Sequence, residues 1–370
     1  RSEIQKVLVE NFEKYGFEPA ETPIVEYEEF VRGDNSDDEA VSSIFKLKDR
    51  GARNLALRYE FTFQLKRLMK DKKLPYKRYQ IGPVFRDEPV TGNRFRQFTQ
   101  CDVDVVGSSV KDEAEILTLV KRVLDQLKID FIIYVNNRKL LNEILEKEGI
   151  EKDDWEKVIR EIDKLDKLSE DEVLNNLKEY KAQKIIGIFK KSDSFFEKYE
   201  TYSEIKELIK YCNYYNTQIK FLPSLARGLS YYNGSVFEVK TKKMKETITG
   251  GGSFLFNNMQ STGLSFGLDR LSLLAEIDIR NKQTMILSLA EDEQAIKLAE
   301  KLRNNGQDCF ITYGKISKAL DYANKLQILY VIILGENEIK EKKVKFKNME
   351  TGEERLLTIS EVVNELKNES

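Results

Sequence analysis

The stretch from residue 55 to residue 107, LALRYEFTFQLKRLMKDKKLPYKRYQIGPVFRDEPVTGNRFRQFTQCDVDVVG, constrains this chain more than any other. It reads as strand, helix, strand, loop, strand. The β runs are LALRYEFT, YKRYQIGPVFRDE and RFRQFTQCDVDVV, with PVTGN as a Pro/Gly turn before the last. Alternate side chains of a strand share a face, so parity tests each run. The even positions of the last run are Arg94, Arg96, Phe98, Gln100, Asp102 and Asp104; the odd ones are Phe95, Gln97, Thr99, Cys101, Val103 and Val105. The run before it sets Arg78, Gln80, Arg86 and Glu88 against Tyr79, Ile81 and Phe85, and the first sets Arg58, Glu60 and Thr62 against Leu57, Tyr59 and Phe61. All three predict one mostly apolar face and one crowded with arginines and carboxylates. An antiparallel sheet with one wet face also carries mixed charges, but such a face favours Lys, Glu and Thr. Arginine suits bidentate contacts to phosphate and carboxylate, and Phe98 among arginines suits stacking on a base. The polar face reads as a floor for a nucleotide and a small zwitterion.

What is missing narrows the chemistry. The 370 residues contain no histidine, which rules out a Ser-His-Asp triad, a Cys-His pair, an HExxH zinc site and a histidine general base. There is no GxxxxGK[ST] phosphate loop. KISKA at 315–319 is a chance match to a signature whose partner motif would need histidine. Cys101, Cys212 and Cys309 lie far apart with no CxxC, so neither a disulfide framework nor a zinc knot is indicated, and a reducing cytoplasm fits. The net charge of −2 argues against a globally basic nucleic-acid binder; such a partner would need a local basic surface. The longest apolar run is ILYVIIL at 328–334, far short of the roughly 20 residues of a membrane helix, and no membrane partner is expected. The chemistry falls to arginines, carboxylates, backbone and metal.

The residues carry a resemblance at three places. FRDEPVTGNRFRQFTQ (85–100) resembles motif 2 of class II aminoacyl-tRNA synthetases. ARGLSYYNGSVFE (226–238) and GLSFGLDRL (263–271) resemble the histidine-specific signature and motif 3 of histidyl-tRNA synthetases, of an archaeal-like kind. The three motifs come in the family's order and the resemblance runs over nearly the whole chain. It implies an α+β fold: a class II synthetase catalytic core built on an antiparallel β-sheet with flanking helices, a helical insertion, and a C-terminal α/β anticodon-binding domain.

Periodicity along the chain divides it similarly. Residues 1–15 have helical spacing and stop at Gly16. TPIVEYEEF resembles motif 1, which the family places at a dimer interface, and IFKLKDRGARNLALR (44–58) resembles the strand pair leading into the ATP site. DEAEILTLVKRVLDQL is an amphipathic helix and FIIYVNN a buried strand. Residues 1–135 are expected to be the first part of the core. Residues 136–218, dense in Leu, Lys and Glu and almost free of Gly, are a helical insertion; a solvated bundle without chemistry is one reading, and the family's acceptor-arm support another. Residues 219–281 return to strand and turn as the second part of the core, with Arg270 in the first turns of a helix that begins after Phe266. From residue 284 to 370 strand and helix alternate, which implies a small sheet flanked by helices and resembles the anticodon-binding domain.

The resemblance implies histidine–tRNA ligation in two steps, adenylation by ATP with Mg2+ and transfer to tRNA(His), by a cytoplasmic homodimer with no protein-ligated metal. It puts Arg86 and Arg227 on the α-phosphate, and Arg86, Glu88, Arg94, Phe98 and Arg270 around ATP, with Phe98 stacking adenine and Arg270 on the γ-phosphate. Glu60, Thr62, Gln100, Asp104, Arg227, Tyr231 and Tyr232 would hold histidine: Glu60, Thr62 and Gln100 its ammonium, Asp104 and Tyr232 its ring. Asp104 could instead be an ion-pair partner of Arg96. Two departures touch the amino-acid pocket: the family's RGLDYY is RGLSYY here, with Ser230 for Asp, and its GGGRYD is GGGSFL, with Ser253 and Phe254 for Arg and Tyr. Rival readings are a non-catalytic paralogue similar to the regulatory subunit of ATP phosphoribosyltransferase, and a class II synthetase for another amino acid. The retained motif arginines speak against the first and the RGLSYY signature against the second.

Overall fold

A computed structural model describes residues 1–33, 39–90, 95–166, 168–227, 231–277 and 281–368. The chain forms two compact units, Arg1–Ile277 and Asp278–Ser370. In the first, the strands are β1 (Glu18–Pro19), β2 (Val25–Tyr27), β3 (Lys46–Lys48), β4 (Asn54–Leu57), β5 (Tyr76–Phe85), β6 (Gln97–Val106), β7 (Ile132–Asn137), β8 (Lys220–Phe221), β9 (Tyr232–Thr241), β10 (Met244–Phe256) and β11 (Met259–Gly267). Eight of them make one sheet in the order β1-β5-β6-β11-β10-β9-β7-β8. Every pairing in it is antiparallel except β1 with β5 and β7 with β8 at the two edges.

Parity decides what each face of this sheet meets. Tyr79, Cys101, Val103, Val105, Leu264, Phe266, Phe237 and Val239 all point to one side, where they are buried with Leu8 and Phe12 of the helix Ser2–Lys14 and Leu117, Val120 and Leu124 of the helix Val110–Gln126. Fully burying side chains of this kind contributes about 1.5–3 kcal/mol each. The second helix starts at a capping box between Ser109 and Asp112, in which the Ser109 N–H donates to Asp112 Oδ2 at 2.8 Å, satisfying donors the helix leaves open. The other side of the sheet is polar, as parity predicts for the runs around β5 and β6.

The first predicted strand behaves differently. It ends at Leu57, and β4 belongs to a separate three-stranded sheet with β2 and β3. The Arg58 N–H donates to Ile24 O at 2.9 Å and the chain then turns into a 3-10 segment, Thr62–Gln64. Tyr59, Phe61 and also Arg58 and Glu60 are therefore all buried. The polar runs are shorter than expected as well: β5 stops at Phe85 and β6 starts at Gln97, although the Arg86 N–H still donates to Arg96 O at 2.9 Å across the loop mouth.

Between β7 and β8 the chain is helical, with Arg138–Lys147, Trp155–Asp163, Glu170–Asn176, Lys184–Phe189 and Tyr202–Tyr214. Two apolar clusters of its own hold it: one gathers Leu141, Leu145, Val158, Ile162, Val173 and Ile185, the other Leu140, Ile144, Phe196, Tyr199 and Tyr202. Leu208 and Cys212 of its last helix enter the main core.

The second unit has a five-stranded sheet in the order β13-β12-β14-β15-β16, with β12 (Asn281–Ser288), β13 (Cys309–Tyr313), β14 (Ile328–Leu334), β15 (Val344–Asn348) and β16 (Glu354–Leu357). The first three are parallel and the last two pair antiparallel. Parallel strands buried on both faces read as continuous apolar runs. Ile286, Ile332 and Leu334 face Leu298 and Leu302 of the helix Asp292–Asn304, while Met285, Leu287, Val331 and Ile333 face Ala319 and Ala323 of the helix Ile316–Lys325. That double burial is why ILYVIIL is the longest apolar run of the chain.

Candidate active site

The polar face of the large sheet is ordered in rows by its register. Arg78 stands opposite Asp104, which stands opposite Gly263, then Gly252 and Val236. The next row is Gln80, Asp102, Ser265, Gly250 and Glu238, and the next Gly82, Gln100 and Gly267. The β5 strand ends in a fourth pair, Val84 opposite Phe98. Each of these first three rows thus sets long polar side chains beside at least one glycine.

The glycines are there to be covered. A Cβ added to Gly250 would run into Nη1 of Arg227, and one added to Gly263 into Oδ1 of Asp104. At Gly82 it would stand 2.8 Å from Nη2 of Arg58, and at Gly252 2.8 Å from Cδ1 of Tyr232. Close approach of another group to the backbone is a use of glycine no other residue can match. Arg227, Asp104, Arg58 and Tyr232 lie close against the sheet because the strand positions beside them carry no side chain.

Two networks result. In the first, Arg78 Nη2 pairs with Asp104 Oδ2, both side chains being at most 4% exposed. Burial raises the Asp104 pKa, against the pull of Arg78. The expected alternative partner, Arg96, is instead exposed and 3.5 Å from Asp87. Asp102, one row on, is pushed by burial up to about 7, with Arg78 opposing and Asp104 adding to the rise. In the second network, Arg227 Nη1 is 3.3 Å from Glu238 Oε1 and its guanidinium lies 5.9 Å from the Tyr232 ring. Burial would lower the Arg227 pKa, but Tyr232 and Glu238 hold it above its ordinary value. Tyr231 and Tyr232 are 4.7 Å apart between ring centroids. Burial lifts both phenol pKa values, and the charge of Glu60 adds to this at each. Glu60, the two tyrosines, Arg227 and Glu238 form one electrostatic group.

The residues expected around ATP are gathered at the other end of the floor. The Arg86 guanidinium lies 5.1 Å from the Phe98 ring and its Nε donates to Tyr59 O at 3.3 Å. Glu88 is partly buried just beyond the end of β5. Arg270 is the third residue of the helix Leu268–Leu274, where parity and pattern put it, and its Nη1 donates to Thr247 O at 2.6 Å. Arg94 and Ser230 lie outside the described residues. Thr62 is partly buried in the 3-10 segment, off the sheet.

The two departures at residues 253 and 254 separate. Ser253 does not face the pocket. It lies between Gly252 and Phe254 in an unbroken register with β11, so its side chain is on the core side, where its hydroxyl donates to Glu113 of the helix Val110–Gln126. Phe254 faces the pocket side and meets Tyr231 edge-on at 5.7 Å between centroids.

Arg78, Gln80, Asp102 and Glu238 join the site although the motifs single none of them out for a role. Their signal is parity alone, since each sits on the polar face with residues that the motifs do mark. Many of the buried polar atoms here have no hydrogen-bond partner among the described residues: Arg78 Nε and Nη1, Gln80 Oε1, Gln100 Oε1, Asp102 Oδ1 and Arg227 Nε. Buried polar groups are nearly always satisfied, so a face carrying this many is built to receive a polar ligand.

Comparison with known proteins agrees with this geometry. A family model described as Histidyl-tRNA synthetase matches residues 1–271, and one described as Anticodon binding domain matches residues 283–369. A protein of Shouchella clausii named histidine–tRNA ligase 2 is 34% identical over 96% of this chain and 94% of its own length. A solved histidyl-tRNA synthetase from Nostoc sp. PCC 7120 has a TM-score of 0.86 at 25% identity, covering 99% of this chain and 95% of that one. A structure described as an ATP phosphoribosyltransferase regulatory subunit/histidyl-tRNA synthetase from Bacillus halodurans C shares the fold, with a TM-score of 0.72 at 20% identity over 86% of this chain and 90% of that one. The sheet, its polar floor and the separate α/β unit are those of a class II aminoacyl-tRNA synthetase. Within that class, the chain belongs to the histidyl-tRNA synthetase family. The relatives named here are bacterial, and the expected archaeal-like affinity finds no support in them.

Proposed function

We propose that this chain is a histidine–tRNA ligase that activates histidine with ATP and passes it to the 3′ end of tRNA(His). The observation that carries the reading is the polar sheet face, where unpartnered acceptors and the Arg78–Asp104 pair share one floor with Arg86 and Arg227. In the first step the histidine carboxylate attacks the α-phosphorus of ATP in line, and pyrophosphate leaves with the bonding pair of the α–β bridge. Arg86 and Arg227 face the charge that grows on the α-phosphate oxygens, which is where preorganised donors lower a barrier most. Phe98 stacks the adenine, Glu88 and Arg94 hold the nucleotide, and Arg270 takes the γ-phosphate. Mg2+ accompanies the outer phosphates of ATP, and no protein ligand is assigned to it. In the second step a terminal ribose hydroxyl of the tRNA attacks the histidyl carbonyl and AMP leaves. Neither step needs a protein nucleophile, in keeping with a chain that has no histidine.

Asp104 accepts from a ring N–H of histidine and Tyr232 answers the other nitrogen, while Glu60, Thr62 and Gln100 take the ammonium and Tyr231 closes the pocket. Residues 136–218 support the acceptor arm as an insertion between the core parts 1–135 and 219–281, and residues 284–370 bind the anticodon. The working form is a homodimer in the cytoplasm. ATP–pyrophosphate exchange against all twenty amino acids tests the reading: histidine alone should drive it. Exchange driven by another amino acid would overturn the assignment, and no exchange at all would favour the non-catalytic paralogue.

A further inference from the structure

Arg227 stands on a connection and not on a strand, since it lies between the end of β8 at Phe221 and the start of β9 at Tyr232. A side chain on a connection is only as fixed as whatever grips the backbone beside it. Two grips act just before Arg227. From the sheet, Asn136 Nδ2 of β7 donates to Pro223 O and to Leu225 O, both at 2.9 Å. The other comes from the helical segment between β7 and β8. Ala226, the residue next to Arg227, is buried in that segment's own apolar cluster with Leu141, Val158, Ile162 and Ile185. The core of the insertion thus closes on the residue adjoining Arg227.

A line of charge runs the same way. Arg227 Nη1 is 3.3 Å from Glu238 Oε1, and Glu238 Oε2 is 3.3 Å from Lys240 Nζ. Lys240 lines one narrow crevice with Ile162, Asp163 and Leu165 of the insertion and with Leu225 and Ala226 of the connection. Asp163 ends the helix Trp155–Asp163, where an acid opposes the helix dipole, so the helix itself gains nothing from it. Burial works against the charge of Arg227, and Tyr232, Glu238, Tyr231 and Asp163 support it. We propose that the insertion sets the position of Arg227, through Ala226 packed in its core and through Asp163 as a positioning residue. The inference rests on the proposed function and gives residues 136–218 a part in adenylation besides supporting the acceptor arm. A donor that acts on charge developing in the transition state costs rate, not ground-state binding, when it is displaced. Loss of Asp163 therefore lowers kcat and leaves KM.

Pyrophosphate exchange by the full chain, with histidine and ATP each varied to saturation, tests this. Asp163→Asn should lower kcat about tenfold, with both KM values within threefold of wild type and the thermal midpoint unchanged. Asp163→Glu, which restores the charge, should bring kcat back to within threefold of wild type. In an Arg227→Ala background the Asp163→Asn change should cost nothing further, because residues that act through one group are not additive. A kcat for Asp163→Asn within threefold of wild type would overturn the positioning role. So would losses that multiply in the double variant, or an Asp163→Glu protein no faster than Asp163→Asn. If Asp163→Asn fails to fold, Lys240→Gln carries the same comparison, with a loss of about tenfold that Arg227→Ala absorbs expected and a multiplied loss overturning it. Wild-type protein without histidine-dependent exchange overturns the proposed function itself, whereas exchange with multiplied losses overturns only the positioning.

Discussion

Arg78 and Asp104 face each other across β5 and β6 as an ion pair that solvent does not reach, with side-chain exposures of 0% and 4%. Breaking a buried pair leaves one charge uncompensated, which typically costs about 3–5 kcal/mol. Asp104→Asn should lower stability by that order and raise the KM for histidine far more than that for ATP. Denaturant midpoints and exchange kinetics measure the two effects. Because the chain has no histidine of its own, the imidazole nitrogens of 15N-histidine bound to wild type can be observed without background. Equal effects on histidine and ATP would remove Asp104 from the ring.

Gly250 and Arg227 give a second, independent handle. Arg227→Ala should cost about 10²–10³ in adenylation rate, the usual loss of one preorganised donor, with thermal unfolding little changed. Gly250→Ala keeps every charge but puts a methyl group where Arg227 Nη1 lies. It should lose activity to a comparable degree. Exchange by Gly250→Ala within threefold of wild type would mean that Arg227 need not lie against the sheet.

Asp102 makes the stability of the free protein depend on pH. Burial raises its pKa to about 7, against roughly 3.9 for an unperturbed Asp. Between these values the folded state keeps a proton that the unfolded chain has lost, so stability is fully present at low pH and falls as pH rises towards 7. The slope is at most about 1.4 kcal/mol per pH unit for one group. Urea midpoints from pH 5 to 8 should show a decline in wild type that is weaker in Asp102→Asn. Arg78, Asp104 and Arg86 also act on this carboxylate, and identical slopes in both proteins would assign the effect to them.

The second unit can be removed. A chain ending near Lys282 keeps the whole polar floor and the core around Phe12, Val103 and Leu117. It should retain pyrophosphate exchange and lose most tRNA charging. Full charging by the truncated chain would give residues 284–370 another role.

Much of this architecture is legible in the residues, for a physical reason. Alternation in YKRYQIGPVF and QFTQCDVDVV is enough to separate core from floor, since Tyr79, Cys101 and Val103 can only face inward. The third polar run misleads, because period two in LALRYEFT says nothing about which sheet a strand joins. Here the chain leaves the ladder at Arg58, whose backbone bonds Ile24 instead. Ser253 departs from the pocket by alternation alone, since Gly250, Gly252 and Phe254 take the floor side of β10 and Ser253 falls between them on the core side. Arg78 reads as polar but not as the partner of Asp104, since pairing across strands depends on register and parity does not supply it.

The glycines beneath Arg227, Asp104, Tyr232 and Arg58 carry a consequence for how this protein tolerates change. None of them has a side chain to offer a ligand, yet each holds a space that a neighbour fills. In a saturation map scored for growth, Gly82, Gly250, Gly252 and Gly263 should stand out as a stripe of intolerance, harsher than many residues that touch substrate. A contact residue can be swapped for one of similar reach. A missing side chain has no conservative replacement.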